Sequence, residues 1–278
     1  MRNYSIKEYN EVLELRKKRL TFRKISKILG IPMSTIYMWT RGSLPMKHSK
    51  KHREHRIKNI KMINEKNRGS REEKYNNLKR KIDTNFAFVL GSVLGDGCIS
   101  FTKRNGGQVT LITKDKDFAL DFKKSLDEWS LMKSKLIYYR NVWQVWSYST
   151  VIAKCLKYYN LSDIFRTDEN IKCSFLRGIF DAEGSVDVKG KKIVFANTST
   201  EITEITKILL EDIGIECKVY NRFSNTRYIE GRKLFPGTYF VIQIGSRENL
   251  KTYHEKVGFS INRKQERLDK IIKSYKPL

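Results

Sequence analysis

Two acidic residues in this sequence stand where they could do chemistry together. Asp96 is followed by Gly97 and Glu183 by Gly184, and each acid closes a short apolar run: FAFVLGSVLGDG (86–97) and SFLRGIFDAEG (174–184). The acids lie 183 − 96 = 87 residues apart. Gly91 and Gly95 are spaced by four in the first run, as Gly178 and Ala182 are in the second. On a helix, that spacing leaves a bare stripe through which two backbones can touch. The opposite faces (Phe86, Val89, Leu90 and Val93; Phe175, Leu176, Ile179 and Phe180) are suited to two cores. The closing glycines are expected to supply the left-handed turn that ends a helix.

Packed side by side, such helices bring two carboxylates together at the negative ends of two helix dipoles. Like charges so placed raise each other's pKa and cost stability. A divalent cation reverses the sign of that effect. Hard oxygen ligands, few of them from protein, suit Mg²⁺ that also binds phosphate, and a paired acidic site facing DNA is what metal-assisted phosphodiester cleavage needs. The plainer alternative is that both acids merely cap their helices. Its weakness is that the same arrangement recurs at the same place in a repeat.

That repeat supplies the elements that must position the acids. After each apolar helix the pattern runs strand, strand, helix, strand, strand, helix. In the first half CISFT, QVTLIT, KLIYYR and WQVWSYS read as strands, with KDFALDFKKSLDEW and TVIAKCLKYY as helices. In the second, SVDVK, KIVFAN, CKVYNRF and TYFVIQIG read as strands, with TEITEITKILLEDIGI and NLKTYHEKVGF as helices and a charged helix from about Asn262. A repeat of this size is a duplicated domain rather than a solenoid unit. Strand alternation directs Ile99, Phe101, Val186 and Val188 inward. It turns Ser100, Thr102 and Arg104 in one half, and Asp187, Lys189 and Lys191 in the other, toward a nucleic acid.

Ahead of the repeat, residues 6–18 and 21–29 read as short helices, and Gly30-Ile31-Pro32 breaks before a third that ends near Gly42. Helix, short glycine-containing turn, helix is the helix-turn-helix pattern. Ile25, Leu29, Ile31, Ile36 and Trp39 would staple it together. Ser34, Thr35, Tyr37, Met38 and Arg41 would then face the major groove. A generic three-helix cap has the same pattern, and the adjoining basic run favours DNA binding. Residues 46–84 are polar and basic and read as a linker or a solvated helix. There His48, His52 and His55 fit a phosphate-tracking segment better than a metal site. The expected organisation is a helix-turn-helix module (1–45), a basic linker (46–84) and a domain (85–278) with halves at about 85–170 and 171–278.

Composition limits the partners. The chain has 278 residues with 56 Lys and Arg against 30 Asp and Glu, a formal net charge of +26, which calls for a polyanion. No apolar run approaches the ~20 residues of a membrane span, and the start MRNYSIKEYN lacks the apolar core of a signal peptide. Cys98, Cys155, Cys173 and Cys217 form no paired motif. Reduced, buried thiols in a cytoplasmic protein are therefore expected.

VLGSVLGDG (89–97) and LRGIFDAEG (176–184) resemble the two motifs of the monomeric LAGLIDADG homing endonucleases. The second match is close. The first departs from the family pattern, with Leu94 and Gly95 where the family often has Asp and Ala, but both motifs keep the acid and its following glycine. The resemblance covers about residues 85–278. It implies an α+β fold of two pseudo-symmetric αββαββα halves, whose antiparallel sheets form a saddle over double-stranded DNA with a long target site. It also implies a monomer that makes a staggered, Mg²⁺-dependent double-strand break in intron or intein homing, with Asp96 and Glu183 holding the metal. The tail KVGFSINRKQERL resembles the family's closing segment, which makes Lys264 the basic residue near the metal; the alternative is an ordinary surface lysine. A gapless overlay of YYNLSDIFR on KVGFSINRK sets Arg166 opposite Lys264. Asn197, with Thr113 as its counterpart, matches the polar residue that orders water at the end of the second strand. Two rival readings accompany the resemblance: a non-catalytic transcription regulator that keeps the fold, as in bacterial sporulation regulators, and an RNA maturase acting on intron RNA. A chain that starts at Met1 and ends SYKPL is not expected to splice itself as an intein does.

Overall fold

The computed structural model describes residues 4–41, 50–102, 106–229, 232–234 and 236–275. The chain divides into two compact units, residues 1–69 and 70–278.

In the first unit, α1 (Ile6–Lys17) and α2 (Phe22–Leu29) start at side-chain caps, whereas α3 (Met33–Thr40) starts after Pro32, which provides none. Ser5 and Glu8 form a capping box on α1. Thr21 caps α2, and Gly30, at φ 63°, ends it in the left-handed region that glycine enters at no steric cost. Val12, Ile25, Ile31, Ile36 and Trp39 are buried together, and Leu29 packs against them. Tyr4 and Tyr9 meet the Trp39 ring edge-on, with centroids at 5.4 and 5.7 Å. The other side of α3 is open: Ser34, Tyr37, Met38 and the following Arg41 are exposed, and Thr35 is half-buried.

The polar stretch after it contains one long helix, α4 (Lys50–Arg80). Within the second unit, Tyr75 and Leu78 near its end pack on the core, as does Ile82 just beyond it. Lys81 ties this end down by donating to the Glu128 and Trp129 carbonyls at 3.1 Å, while its own carbonyl accepts from the Trp129 indole at 2.9 Å. His48 and the side chains of His52 and His55 lie outside the described residues.

The second unit runs one pattern twice. The first copy is α5 (Thr84–Gly95), β1 (Gly97–Thr102), β2 (Gly106–Thr113), α6 (Lys116–Ser130), β3 (Lys135–Tyr139), β4 (Val142–Ser147) and α7 (Thr150–Lys157), then a 3-10 turn at Leu161–Arg166. The second is α8 (Glu169–Glu183), β5 (Gly184–Asp187), β6 (Lys192–Asn197), α9 (Thr200–Asp212), β7 (Lys218–Ser224), a small hairpin β8 (Arg227–Ile229) and β9 (Arg232–Leu234), then β10 (Gly237–Ile244) and α10 (Arg247–Lys256). A closing helix, α11 (Asn262–Lys273), follows. Both four-stranded sheets are antiparallel and have equivalent orders, β1-β2-β4-β3 and β5-β6-β10-β7. This is the α+β fold of two αββαββα halves that the sequence implies.

Register fixes which side chains face the helices. Ile99 pairs with Val109 and Leu111 with Val145 on the inner face, while Ser100 pairs with Gln108 and Thr110 with Trp146 on the outer. In the second sheet Val186 pairs with Ile193 and Phe195 with Ile242 inward, and Ser185 and Gln243 meet Val194 outward. Alternation fails at two expected inward residues, Phe101 and Val188, which are 40% and 39% exposed. Phe101 sits opposite Gly107, which offers no side chain to cover it. β5 ends at Asp187, so Val188 already belongs to a turn, closed by Lys191 at φ 47°. The thiols also differ from expectation: all four cysteines are free, but only Cys155 and Cys173 are buried, and Cys98 is exposed on β1. No described helix is long and apolar enough to cross a membrane.

Candidate active site at the paired helix ends

α5 and α8 meet backbone to backbone. A Cβ added at Gly91 would lie 2.3 Å from the Phe175 carbonyl oxygen, and one at Gly178 would lie 2.2 Å from that of Phe88. One at Gly95 would lie 2.3 Å from the Ala182 Cβ and 3.2 Å from the Glu183 Cγ. The small-residue stripe is thus the contact surface, and it carries the two helix ends, with Asp96 and Glu183, into one place. The opposite faces are anchored as expected: Phe86, Val89, Leu90, Val93, Phe175, Leu176, Ile179 and Phe180 are all buried. Each such side chain contributes about 1.5–3 kcal/mol on leaving water.

The glycines after the acids serve a different purpose from the one expected. Neither takes a positive φ, and Gly184 is extended at φ −84° and ψ 153°. What they permit is close approach. A Cβ at Gly97 would be 2.4 Å from the Val93 Cα, and one at Gly184 would be 2.4 Å from the Phe180 carbonyl. The chain therefore folds back over the last helical turn, and each sheet's first strand leaves directly from its acid.

The charges respond to this crowding. Asp96 keeps an open edge to solvent, yet partial desolvation holds its carboxyl above the usual range, helped by Asp115 and opposed by Lys264. Glu183 is half-buried and also raised, first by burial and then by Asp96, again against Lys264. Asp96 is also the C-cap residue of α5, its backbone N–H bonding the Ser92 carbonyl, while Glu183 is the last residue of α8. A capping role for the backbone of Asp96 thus leaves its carboxylate free to face Glu183.

Lys264 is the basic member of the group. It is 4% exposed, and its amine donates to the Phe180 and Asp181 carbonyls at 3.1 and 2.5 Å. These carbonyls lie in the last turn of α8, where a cation is favoured, and the Phe180 oxygen also accepts the Gly184 N–H. Burial pushes the lysine down to about 8 against the pull of Asp181, with Arg263 lowering it further. It is not a surface lysine. Asn197, at the end of β6, donates its amide to Glu183 Oε1 at 3.4 Å and accepts the Ser199 N–H at 2.8 Å. Thr113 makes the matching turn in the first half, accepting the Asp115 N–H at 3.1 Å.

Arg166 does not join them. Its side chain is 87% exposed and lies 3.9 Å from Asp163. The gapless overlay fails because the first half passes from a single 3-10 turn straight into α8, whereas the second half continues into α11 and carries its lysine inward.

Asp181 and Asp115 were missed. Asp181 is 1% exposed, and both its oxygens accept the Ser260 N–H at 3.1 Å. Burial pushes its carboxyl up to about 6. Its signal in the sequence is a single acid inside an apolar stretch, at the place where the first motif has Leu94. Asp115 pairs with Arg263 through two bonds of 2.7 and 2.8 Å, and that pairing holds its carboxyl below the usual range.

Of the residues expected to read DNA, Ser100 and Thr102 lie on the outer face of the first sheet, and Asp187 lies on the outer face of the second. The Asp187 carboxylate is engaged by the Gly190 N–H at 3.0 Å and stands 3.9 Å from Lys192. Lys189 and Lys191 are exposed on the turn after β5, and the Lys191 amine lies 4.8 Å from the Tyr275 ring centre. Arg104 lies outside the described residues.

Residues 170–258 match the family model of a LAGLIDADG-like domain. Over 198 residues the chain is 30% identical to the uncharacterized protein MJ0398 of Methanocaldococcus jannaschii, covering 68% of this chain and 71% of that one. The chain belongs to the same family as MJ0398. Shorter stretches match two Thermococcus kodakarensis proteins. One is a probable translation initiation factor IF-2, 35% identical over 99 residues, 36% of this chain and 7% of that protein. The other is a replication factor C small subunit, 33% identical over 104 residues, 37% of this chain and 11% of that protein. Among solved structures, I-DmoI in complex with DNA and Ca resembles the chain at TM-score 0.49 and 17% identity, covering 68% of this chain and 99% of that one. Full-length DUF199/WhiA from Thermatoga maritima does so at 0.47 and 16%, covering 74% and 67%.

Proposed function

We propose that this protein is a sequence-specific DNA endonuclease that makes a staggered double-strand break with Mg²⁺ and acts in homing, with the three-helix unit as an added helix-turn-helix. The observation that carries the reading is the meeting of Asp96, Glu183 and Lys264 at the paired ends of α5 and α8. Two acids alone would weaken the fold there; beside a buried lysine, at the point where two sheets begin, they have a use.

The donor set fits the ion. Asp96 and Glu183 offer hard carboxylate oxygens, and Asp115 is committed to Arg263. No described group of three or more His, Cys, Asp or Glu forms a closed metal cage. Two protein carboxylates, with the remaining positions left to water and phosphate, suit Mg²⁺. Bound there, the ion would stabilise charge on the phosphate and make water more acidic. The chain's own residues do the rest. Asn197 orients the Glu183 carboxylate through its amide. Lys264, lowered to about 8, is mostly protonated at neutral pH. It can stabilise the charge that develops on the phosphate, or exchange a proton with water at little cost.

The remaining features support DNA as the substrate. The charge of +26 favours a long polyanion. The outer sheet faces, with Ser100, Thr102, Gln108 and Lys192, carry the polar groups that strands use to read base edges in a major groove. The exposed side of α3 would add contacts from Ser34, Thr35, Tyr37 and Arg41 beyond them. The partial matches support homing. A translation factor and a replication factor have unrelated tasks, and sequence shared with a small share of each behaves as an inserted element.

The test is cleavage. Purified protein with Mg²⁺ is offered supercoiled plasmids with randomised inserts, and linear products are recovered and sequenced. The endonuclease reading expects one recurrent insert, cut with a constant stagger. Tight binding of one recurrent insert with no cleavage would assign a regulator instead, and preferential binding of structured RNA a maturase.

A further inference from the structure

Helix α11 begins without a cap of its own. Its N-cap residue, Ile261, provides no side-chain acceptor, so the orphan N–H groups around its start need partners elsewhere. They find them in both halves of the unit. Ser260 N–H goes to Asp181, and Asn262 N–H goes to Asp117 Oδ2 at 2.6 Å. Arg263 is held by Asp115, 148 residues away. Asp115 and Asp117 stand at the start of α6 in the first half, whereas α11 belongs to the second.

Asp115 occupies the N-cap position of α6 but does not cap it. Its counterpart is Ser199, two residues after Asn197 as Asp115 is two after Thr113. Ser199 does the ordinary work of that position, accepting the Ile202 N–H at 3.3 Å to cap α9. The halves thus differ where their folds agree. One cap residue serves its own helix, and the other makes no cap bond to its helix and grips an arginine across the domain.

We propose that Asp115 and Asp117 are positioning residues which, from the first half, fix the first turn of α11 and thereby hold Lys264 beside Asp96 and Glu183. The proposal rests on the endonuclease reading and deepens it. Lys264 directly follows Arg263, so a turn that slides without its two anchors draws the amine off the Phe180 and Asp181 carbonyls. The bidentate arginine fork fixes direction as well as distance, which a lone ammonium would not. The clamp also makes docking of the halves and completion of the site a single event, since parted halves leave Arg263 without its partner.

The test compares wild type with Asp115→Asn/Asp117→Asn and with the charge exchange Asp115→Arg/Arg263→Asp. Three quantities are read: the rate of acylation of the Lys264 amine by peptide mass spectrometry without DNA, the Kd for a target recovered from the plasmid library, and the single-turnover cleavage rate with Mg²⁺. In the Asn variant Lys264 should be acylated at least ~10-fold faster, and cleavage should slow by ~10²-fold, the scale for a misplaced catalytic group. Kd and Tm should stay near wild type. The exchange should restore both protection and most of the rate. Lys264 as protected in the Asn variant as in wild type would overturn the clamp. So would a joint fall of rate, affinity and Tm that the exchange does not reverse, because that is the pattern of a merely structural contact. If wild type cuts no target, the endonuclease reading fails, and the acylation comparison still decides the clamp.

Discussion

Replacing Gly178 by alanine puts a methyl group where α5 and α8 have no room. Its Cβ would stand 2.2 Å from the Phe88 carbonyl oxygen and 2.9 Å from the Ser92 nitrogen, both backbone atoms of the opposite helix. A backbone cannot turn aside as a side chain can, so the helices must part by roughly 1 Å to reach an ordinary contact. Overpacking of this kind costs about 1–3 kcal/mol, and a rigid obstacle places it at the upper end. For a unit of this size, ~3 kcal/mol lowers Tm by roughly 6–12 °C. The same displacement separates Asp96 from Glu183, so cleavage should fall by about 10²-fold even in the folded fraction. Gly237→Ala is the control, since nothing lies within 4 Å of its added Cβ. Urea unfolding and single-turnover cleavage would be measured on both variants. A Gly178→Ala protein that unfolds at the same midpoint as Gly237→Ala, and cuts as fast, would refute the close-contact reasoning.

Other expectations follow from the same geometry. Lys264 has a folded value of about 8 against the ordinary 10.5, so between those values the unfolded chain binds more protons and stability rises with pH. Lys264→Met lacks that dependence, and unfolding free energies from urea titrations between pH 8 and 10 should move in favour of wild type by ~1–3 kcal/mol. Its cleavage should fall ~10²-fold at neutral pH, whereas Arg166→Ala, altering an exposed side chain, should cut both strands at the wild-type rate. Deleting residues 1–45 should shorten the protected footprint, weaken binding and flatten its salt dependence, with cutting intact at high protein concentration. An unchanged footprint would remove the three-helix unit from this DNA.

The sequence discloses the parts of this account that local rules govern. The stripe of Gly91, Gly95, Gly178 and Ala182 is legible because small residues four apart mean one thing on a helix, and the core faces opposite it follow from the same period. The sheets are legible wherever apolar residues alternate across several positions, as in β2 and β6. Alternation misleads at Phe101, which faces Gly107 and finds no side chain to cover it, and at Val188, which lies in the turn just after β5 ends. The turn glycines were legible as necessary but not for the right reason, since Gly97 and Gly184 spare a clash rather than adopt a left-handed φ. Lys264 and Arg166 look interchangeable in a gapless overlay, and only the length of the helix that follows sends one inward. Asp115 is invisible in the sequence because its partner is Arg263, 148 residues on. No local pattern separates it from an ordinary helix cap.

The central claim is that Asp96 and Glu183 together hold the metal that cuts DNA. Asp96→Asn and Glu183→Gln each keep size and shape while removing one charge from a crowded pair, so both should fold at least as stably as wild type. The direct measurement is Mg²⁺-dependent cleavage of the recovered target by each variant, alongside its Kd for the same DNA. Both variants should lose double-strand cleavage while binding is retained or tightened. Double-strand cleavage at the wild-type rate by either one would contradict it.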